Sequence, residues 1–100
     1  MRTLLEIGDM IRIREDIKEN IKYEMILNTD EKNSWLKDEM LPANTLVKIV
    51  SVANGQYRVE RVDYTDQTLN NNCYWDDFWG YTDTMFDPEM LILLYKDRYN

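Results

Sequence analysis

Asn54-Gly55 sits between two runs of alternating apolar and polar residues, Leu46-Val47-Lys48-Ile49-Val50-Ser51-Val52 and Gln56-Tyr57-Arg58-Val59-Glu60-Arg61-Val62. No other feature constrains the fold as much. An Asn-Gly pair accommodates the positive φ angles of a two-residue type I′ turn, whose twist matches that of two antiparallel strands. A β-hairpin is therefore expected in the middle of the chain, and a mainly β fold class with it.

The flanking segments extend this reading. Asp9-Met10-Ile11-Arg12-Ile13-Arg14 alternates strictly after the Gly8-Asp9 turn, so Ile11 and Ile13 point one way and Arg12 and Arg14 the other. Tyr74 to Thr82 reads as a further strand with a bend at Gly80, and Met90 to Tyr95 as the closing strand after the break at Asp87-Pro88. Glu15 to Leu27 carries Ile17, Ile21 and Met25 at four-residue spacing. That fits an amphipathic helix of about three turns, or an irregular loop with local helical turns. Asn28 to Asn33 is polar and loop-like, and Ser34 to Leu41 reads as a helical turn capped by Asn33 or Ser34 and stopped by Pro42. Asp63 to Cys73, with Asn70-Asn71-Asn72, is a long polar loop. About five short antiparallel strands, with a long, partly helical insertion after the first, describe a small bent barrel formed by one domain over residues 1–100.

Composition narrows the chemistry. With 44% apolar residues, a 100-residue chain can bury one modest core, and 31% charged residues with 12% aromatics are unlike a disordered tail. There is no histidine, and the lone Cys73 has no internal disulfide partner, which argues against zinc sites and against Ser-His or Cys-His catalysis. The Asp-x-Asp-x-Asp-Gly spacing of a calcium loop is absent, and a barrel this small offers no deep cleft, so neither cofactor nor enzymatic activity is expected. The only bases between Lys48 and Lys96 are Arg58 and Arg61, too few to neutralise a phosphate backbone, so direct nucleic-acid binding is not expected. No apolar run is long enough to span a bilayer and Met-Arg-Thr-Leu-Leu-Glu is not a secretory signal, which makes the cytoplasm the expected location.

The charge is unevenly distributed. Glu60 to Glu89 holds eight acids against one base, Arg61, which equals the whole formal charge of −7. The same window holds seven of the twelve aromatics. Carboxylates interleaved with large rings suit a surface that meets a cationic partner, since acids steer the encounter and rings supply contact area. The candidate partner-binding residues are Asp63, Asp66, Tyr74, Trp75, Asp76, Asp77, Trp79 and Asp83. Trp35 belongs instead with Leu36, Met40 and Leu41 in the core, and the methionines at 10, 25, 40, 85 and 90 read as gap fillers.

Several of these pieces have a family resemblance. Ile7-Gly8-Asp9-Met10-Ile11-Arg12-Ile13-Arg14, the Trp35 to Leu41 turn, the Val47 to Tyr57 hairpin and Trp79-Gly80-Tyr81-Thr82-Asp83-Thr84-Met85-Phe86 together resemble the SH3-like barrels of small proteins from bacterial phages and mobile elements. Proteins of that kind include nucleic-acid mimics that inhibit restriction systems and anti-CRISPR proteins that block RNA-guided nucleases. The resemblance implies a non-enzymatic, phage-encoded inhibitor in the host cytoplasm, with its carboxylates where phosphates would lie in a basic groove of a nucleic-acid-binding enzyme. The alternative is an SH3-like adaptor that holds a peptide or protein subunit in an aromatic groove.

Overall fold

The computed structural model describes residues 3–37, 40–53, 55–62 and 80–99. They form a mainly β fold of two antiparallel sheets and one C-terminal helix. Strand β4 (Leu46–Ala53) lies between β1 (Met10–Arg12) and β5 (Gln56–Arg61), antiparallel to both. Strands β2 (Lys22–Glu24) and β3 (Lys32–Ser34) make a separate two-stranded sheet. A one-turn 3-10 segment, Asp83–Met85, precedes helix α1 (Pro88–Tyr99).

The central hairpin has the expected register. Ala53 pairs with Gln56, leaving a two-residue turn, and Gly55 takes φ +77°, a conformation that favours glycine. Asn54 lies outside the described residues. The ladder slips by one residue between Ile49 and Ser51, a bulge that leaves Val50 as the extra residue and bends β4. In and around β1 the alternation sends Ile11 and Ile13 into the core, and Arg12 outward. Met10 shares that outward face and is exposed, so it fills no gap in the core. Met25, Met40 and Met85 are buried.

Residues 81–86 link the two edges of the three-stranded sheet. Tyr57 and Tyr81 exchange a reciprocal pair of backbone hydrogen bonds, both 2.8 Å, beside β5, while Phe86 bridges to Ile13 just beyond β1. These are isolated bridges, and the described strands form no closed barrel.

The core holds Leu4, Leu5, Ile11, Ile13, Val47, Ile49, Val59, Met85 and three large rings, Tyr57, Tyr81 and Phe86. Each polar tip in this aromatic core is used. The Tyr57 hydroxyl accepts from the amides of Leu4 (3.1 Å) and Leu5 (3.2 Å), and the Tyr81 hydroxyl accepts from the amide of Leu41 (2.7 Å). Trp35, buried as expected, donates its indole N–H to the Leu41 carbonyl at 2.9 Å. Two tyrosines and a tryptophan thus bind loop backbone that would otherwise bury unpaired groups.

Three expectations are corrected. Met90 to Tyr95 is helix, not a closing strand. Asp87-Pro88-Glu89 begins it: the Asp87 carboxylate accepts from the amides of Glu89 (2.9 Å) and Met90 (3.4 Å), and proline sits at the first helical position. Of the two readings of residues 15–27, the amphipathic helix is the one corrected: among the described residues they form no helix. Met25 is buried and Ile17 half-buried, but Ile21 is exposed, so the four-residue spacing marks no common face; residues 22–24 pair instead with Lys32–Ser34. The Ser34 to Leu41 segment begins as strand at Ser34 and keeps one helical hydrogen bond, from the Met40 amide to the Leu36 carbonyl at 3.0 Å.

Candidate functional site

Of the candidate residues, Asp63, Asp66, Tyr74, Trp75, Asp76, Asp77 and Trp79 lie outside the described residues, as does most of the expected strand from Tyr74 to Thr82. Asp83 is described, and its side chain does not face solvent. It is fully buried at the start of the 3-10 turn, between Thr82 and the Met85-Phe86 pair that fills the core. Its Oδ1 accepts from the Ile26 amide at 2.9 Å, pairing a backbone group that has left the β2–β3 ladder. Burial pushes the Asp83 carboxyl up to about 6, with the Ile26 and Thr84 amides opposing that rise. The expectation that Asp83 meets a partner is therefore corrected: its side chain is turned inward, where it pairs the Ile26 amide.

Helix α1 carries apolar residues on more than one side. Leu91 is buried, and Met90, Leu94 and Tyr99 pack against the core. Ile92 (54% exposed), Leu93 (68%) and Tyr95 (41%) face outward. Positions 88, 92, 95 and 96 follow one another at the spacing of a single helical stripe, and Pro88, Ile92, Tyr95 and Lys96 line one side of a surface trough. Ile26, 45% exposed at the end of β2, lines it with them, above the buried Leu91. Tyr95 is steadied by Tyr99, whose ring centre lies 5.4 Å away.

Beyond Pro88 the lining changes character. Glu15, Asp16, Asp87 and Glu89 surround the adjoining depression, with Asn44 at its edge. Two of these acids are already engaged. Asp16 holds Arg14 through two hydrogen bonds, 2.6 and 2.9 Å, and Asp87 caps α1. No ion pair with a described residue reaches Glu15 or Glu89. The guanidinium of Arg14 also lies 5.8 Å from the centre of the Tyr23 ring, which holds it beside the apolar section.

The helix is held in place from its far end. Arg98 donates two hydrogen bonds to the Asp9 carboxylate, both 2.7 Å, and one to the Leu4 carbonyl at 2.6 Å, while the Tyr99 hydroxyl donates to the Thr3 carbonyl at 2.6 Å. Burial alone would raise the Asp9 carboxyl, but the Arg98 guanidinium and the Glu6 amide outweigh it and leave Asp9 below its ordinary value.

Comparison with protein-family models, curated proteins and solved structures finds no match to this chain. Among the described residues no group of three or more acids or cysteines is placed to hold a metal ion, and no helix is long and apolar enough to cross a membrane. The trough at α1 was not anticipated from sequence. Its signal was present in Asp87-Pro88-Glu89, a helix start whose following apolar residues cannot all be buried on one side.

Proposed function

We propose that this chain is a non-enzymatic, protein-binding inhibitor with a basic partner, occupying the nucleic-acid-binding groove of a bacterial defence nuclease from within the host cytoplasm. The observation that carries the reading is the confinement of a −7 charge to Glu60–Glu89 together with seven aromatic residues. Apart from the buried Asp83 the window still holds seven acids against one base, and apart from the buried Tyr81 and Phe86 it still holds five aromatic residues; Asp63, Asp66, Asp76 and Asp77 lie outside the described residues. The SH3-like resemblance of the β1 and hairpin segments supports the same assignment, with residues 81–86 running between the sheet edges as a bent barrel would require. Competition tests it. The protein is captured on a candidate RNA-guided or restriction nuclease, and a single- or double-stranded oligonucleotide is titrated in. Displacement by the oligonucleotide, with binding that weakens steeply as salt is raised, is the expected result. Binding that survives saturating nucleic acid would overturn the decoy reading.

The alternative, an SH3-like adaptor that holds a peptide or protein subunit in an aromatic groove, is favoured by one feature of its own, the trough between Ile26 and α1, to which Tyr95 contributes a ring. Its complex would respond much less to salt, because apolar burial is not screened.

A further inference from the structure

We propose that the trough along α1 is a docking site for a segment of a basic partner protein, one that seats two aliphatic side chains over Ile26 and Ile92 and places a lysine or arginine beside Glu15 and Glu89. The inference rests on the protein-binding reading above and adds the surface and the chemistry of the bound segment.

The apolar section comes first. Ile92 and Ile26 stand exposed on opposite sides of a depression floored by Leu91, with Tyr95 held by its stacking on Tyr99. Helix α1 has already buried one face against the core, so this second face has no intramolecular use among the described residues. A large aliphatic residue beside a fixed ring is the kind of place where an interface anchor gains most from leaving water.

Charge then selects the occupant. At the Pro88 end, Asp16 is neutralised by Arg14, and the helix N-terminus contributes roughly half a positive charge. Asp87 and Glu89 outweigh that half charge, and Glu15 adds to them, so the end remains negative. Lys96 marks the opposite end. A segment with apolar residues in the middle and a base at one end is complementary to this order. Anionic lipid is not, since the acids bordering the trough would face its headgroups. A second copy fits less well, because one Lys96 would meet several acids between two chains that each carry −7.

The test is selection followed by variants. A random dodecapeptide library displayed on phage is panned against the whole protein, and an enriched peptide is synthesised for calorimetric titration. Enriched sequences are expected to share two aliphatic residues three or four positions apart with lysine or arginine on one flank. Ile92→Asp should weaken the peptide at least about tenfold, as loss of a central anchor does. Leu93→Asp, exposed on the same helix but outside the trough, should change it less than about twofold. Joint replacement of Glu15→Lys and Glu89→Lys should reverse the preference toward peptides with an acidic flank. Amide shifts of the unmodified protein during titration, at Ile26 and along residues 89–96, give a readout that needs no variant. No enrichment, enrichment without a basic flank, or affinity indifferent to Ile92→Asp would each overturn the proposal. So would a dimer, or binding to vesicles of phosphatidylcholine and phosphatidylserine, that Ile92→Asp abolishes. Failure here is distinct from failure of the inhibitor reading, which the oligonucleotide competition decides without involving the trough.

Discussion

Asp83 and Ile26, 57 positions apart, are joined by a 2.9 Å hydrogen bond from the Ile26 amide to the buried Asp83 carboxylate. The bond pairs one oxygen. Among the described residues the other, Oδ2, has no hydrogen-bond partner. A buried carboxylate in that position is more easily kept as the neutral acid, which is why its folded value rises from 3.8 to about 6.

The sign of the resulting pH dependence is unusual for an aspartate. Its folded value lies above its unfolded one, so its contribution to stability is fully present below about pH 4 and is lost as pH rises through about 6. The loss amounts to about 3 kcal/mol. Chemical denaturation at a series of pH values should show this falling component in the wild type and lack it in Asp83→Asn. Parallel profiles for the two proteins would contradict the burial of an ionisable group there.

Tyr57→Phe keeps the ring and removes the acceptor for two buried amides, those of Leu4 and Leu5. The expected cost is about 2 kcal/mol, because each amide leaves water without a partner. Hydrogen exchange at Leu4 and Leu5 should accelerate more than exchange in β4. Equal acceleration everywhere would indicate a general loss of stability and not a local one.

Two glycines should resist substitution for different reasons. Gly55→Val must force a branched side chain to φ +77° and should cost about 1 kcal/mol or more. At Gly80 the obstacle is space: an added Cβ would come within 2.6 Å of the Gln56 Cβ. Gly80→Ala should therefore cost roughly 1–3 kcal/mol by overpacking, with only partial relief from Gln56→Ala, which leaves that Cβ in place. Thermal melts of the single and double variants check both statements.

Arg98→Met should loosen α1 from the start of the chain by removing the partner of Asp9 and the donor to the Leu4 carbonyl. Both charged side chains are mostly covered, 19% and 17% exposed, so a loss of about 2 kcal/mol is expected after allowing for residual solvent screening. Asp9 has the ordinary sign. Its lowered value adds stability above about pH 4 that disappears as pH falls through the folded value, and this acid-side loss should be smaller in Arg98→Met.

For the charged window, Asp76→Asn with Asp77→Asn should slow association with a basic partner while leaving the melting temperature unchanged. Trp75→Ala should act on dissociation and cost about 2 kcal/mol or more. Stopped-flow or surface-based kinetics separate the two effects.

What could be read from sequence was whatever repeats with a clear period. The β4–β5 hairpin, the inward Ile11 and Ile13 and the buried Trp35 followed from alternation, turn chemistry and apolar neighbours. Met90 to Tyr95 has no period, since six consecutive apolar residues fit a buried strand as well as a helix; only the Asp87-Pro88-Glu89 start separates them. Ile17, Ile21 and Met25 repeat at helical spacing by coincidence, and pairing of Tyr23 opposite Asn33 overrides it. Asp83 was misplaced because local sequence gives charge but not the amide, 57 residues away, that takes the charge inside. The trough depends on Ile26 meeting α1, a juxtaposition of distant segments that no local pattern encodes.

The anchoring of Arg98 and Tyr99 onto Thr3, Leu4 and Asp9 bears on how the protein is made in a cell. During translation the first sheet can assemble once the hairpin has emerged, but Asp9 and the Leu4 carbonyl stay without their Arg98 partner until α1 leaves the ribosome. Contacts spanning more than ninety residues close late, after loop entropy has been overcome for the whole chain. A chain stalled before residue 98 would therefore leave the Leu4 carbonyl and the Asp9 carboxylate without the guanidinium that pairs them, so that synthesis of α1 is itself a step in securing the first turn of the chain.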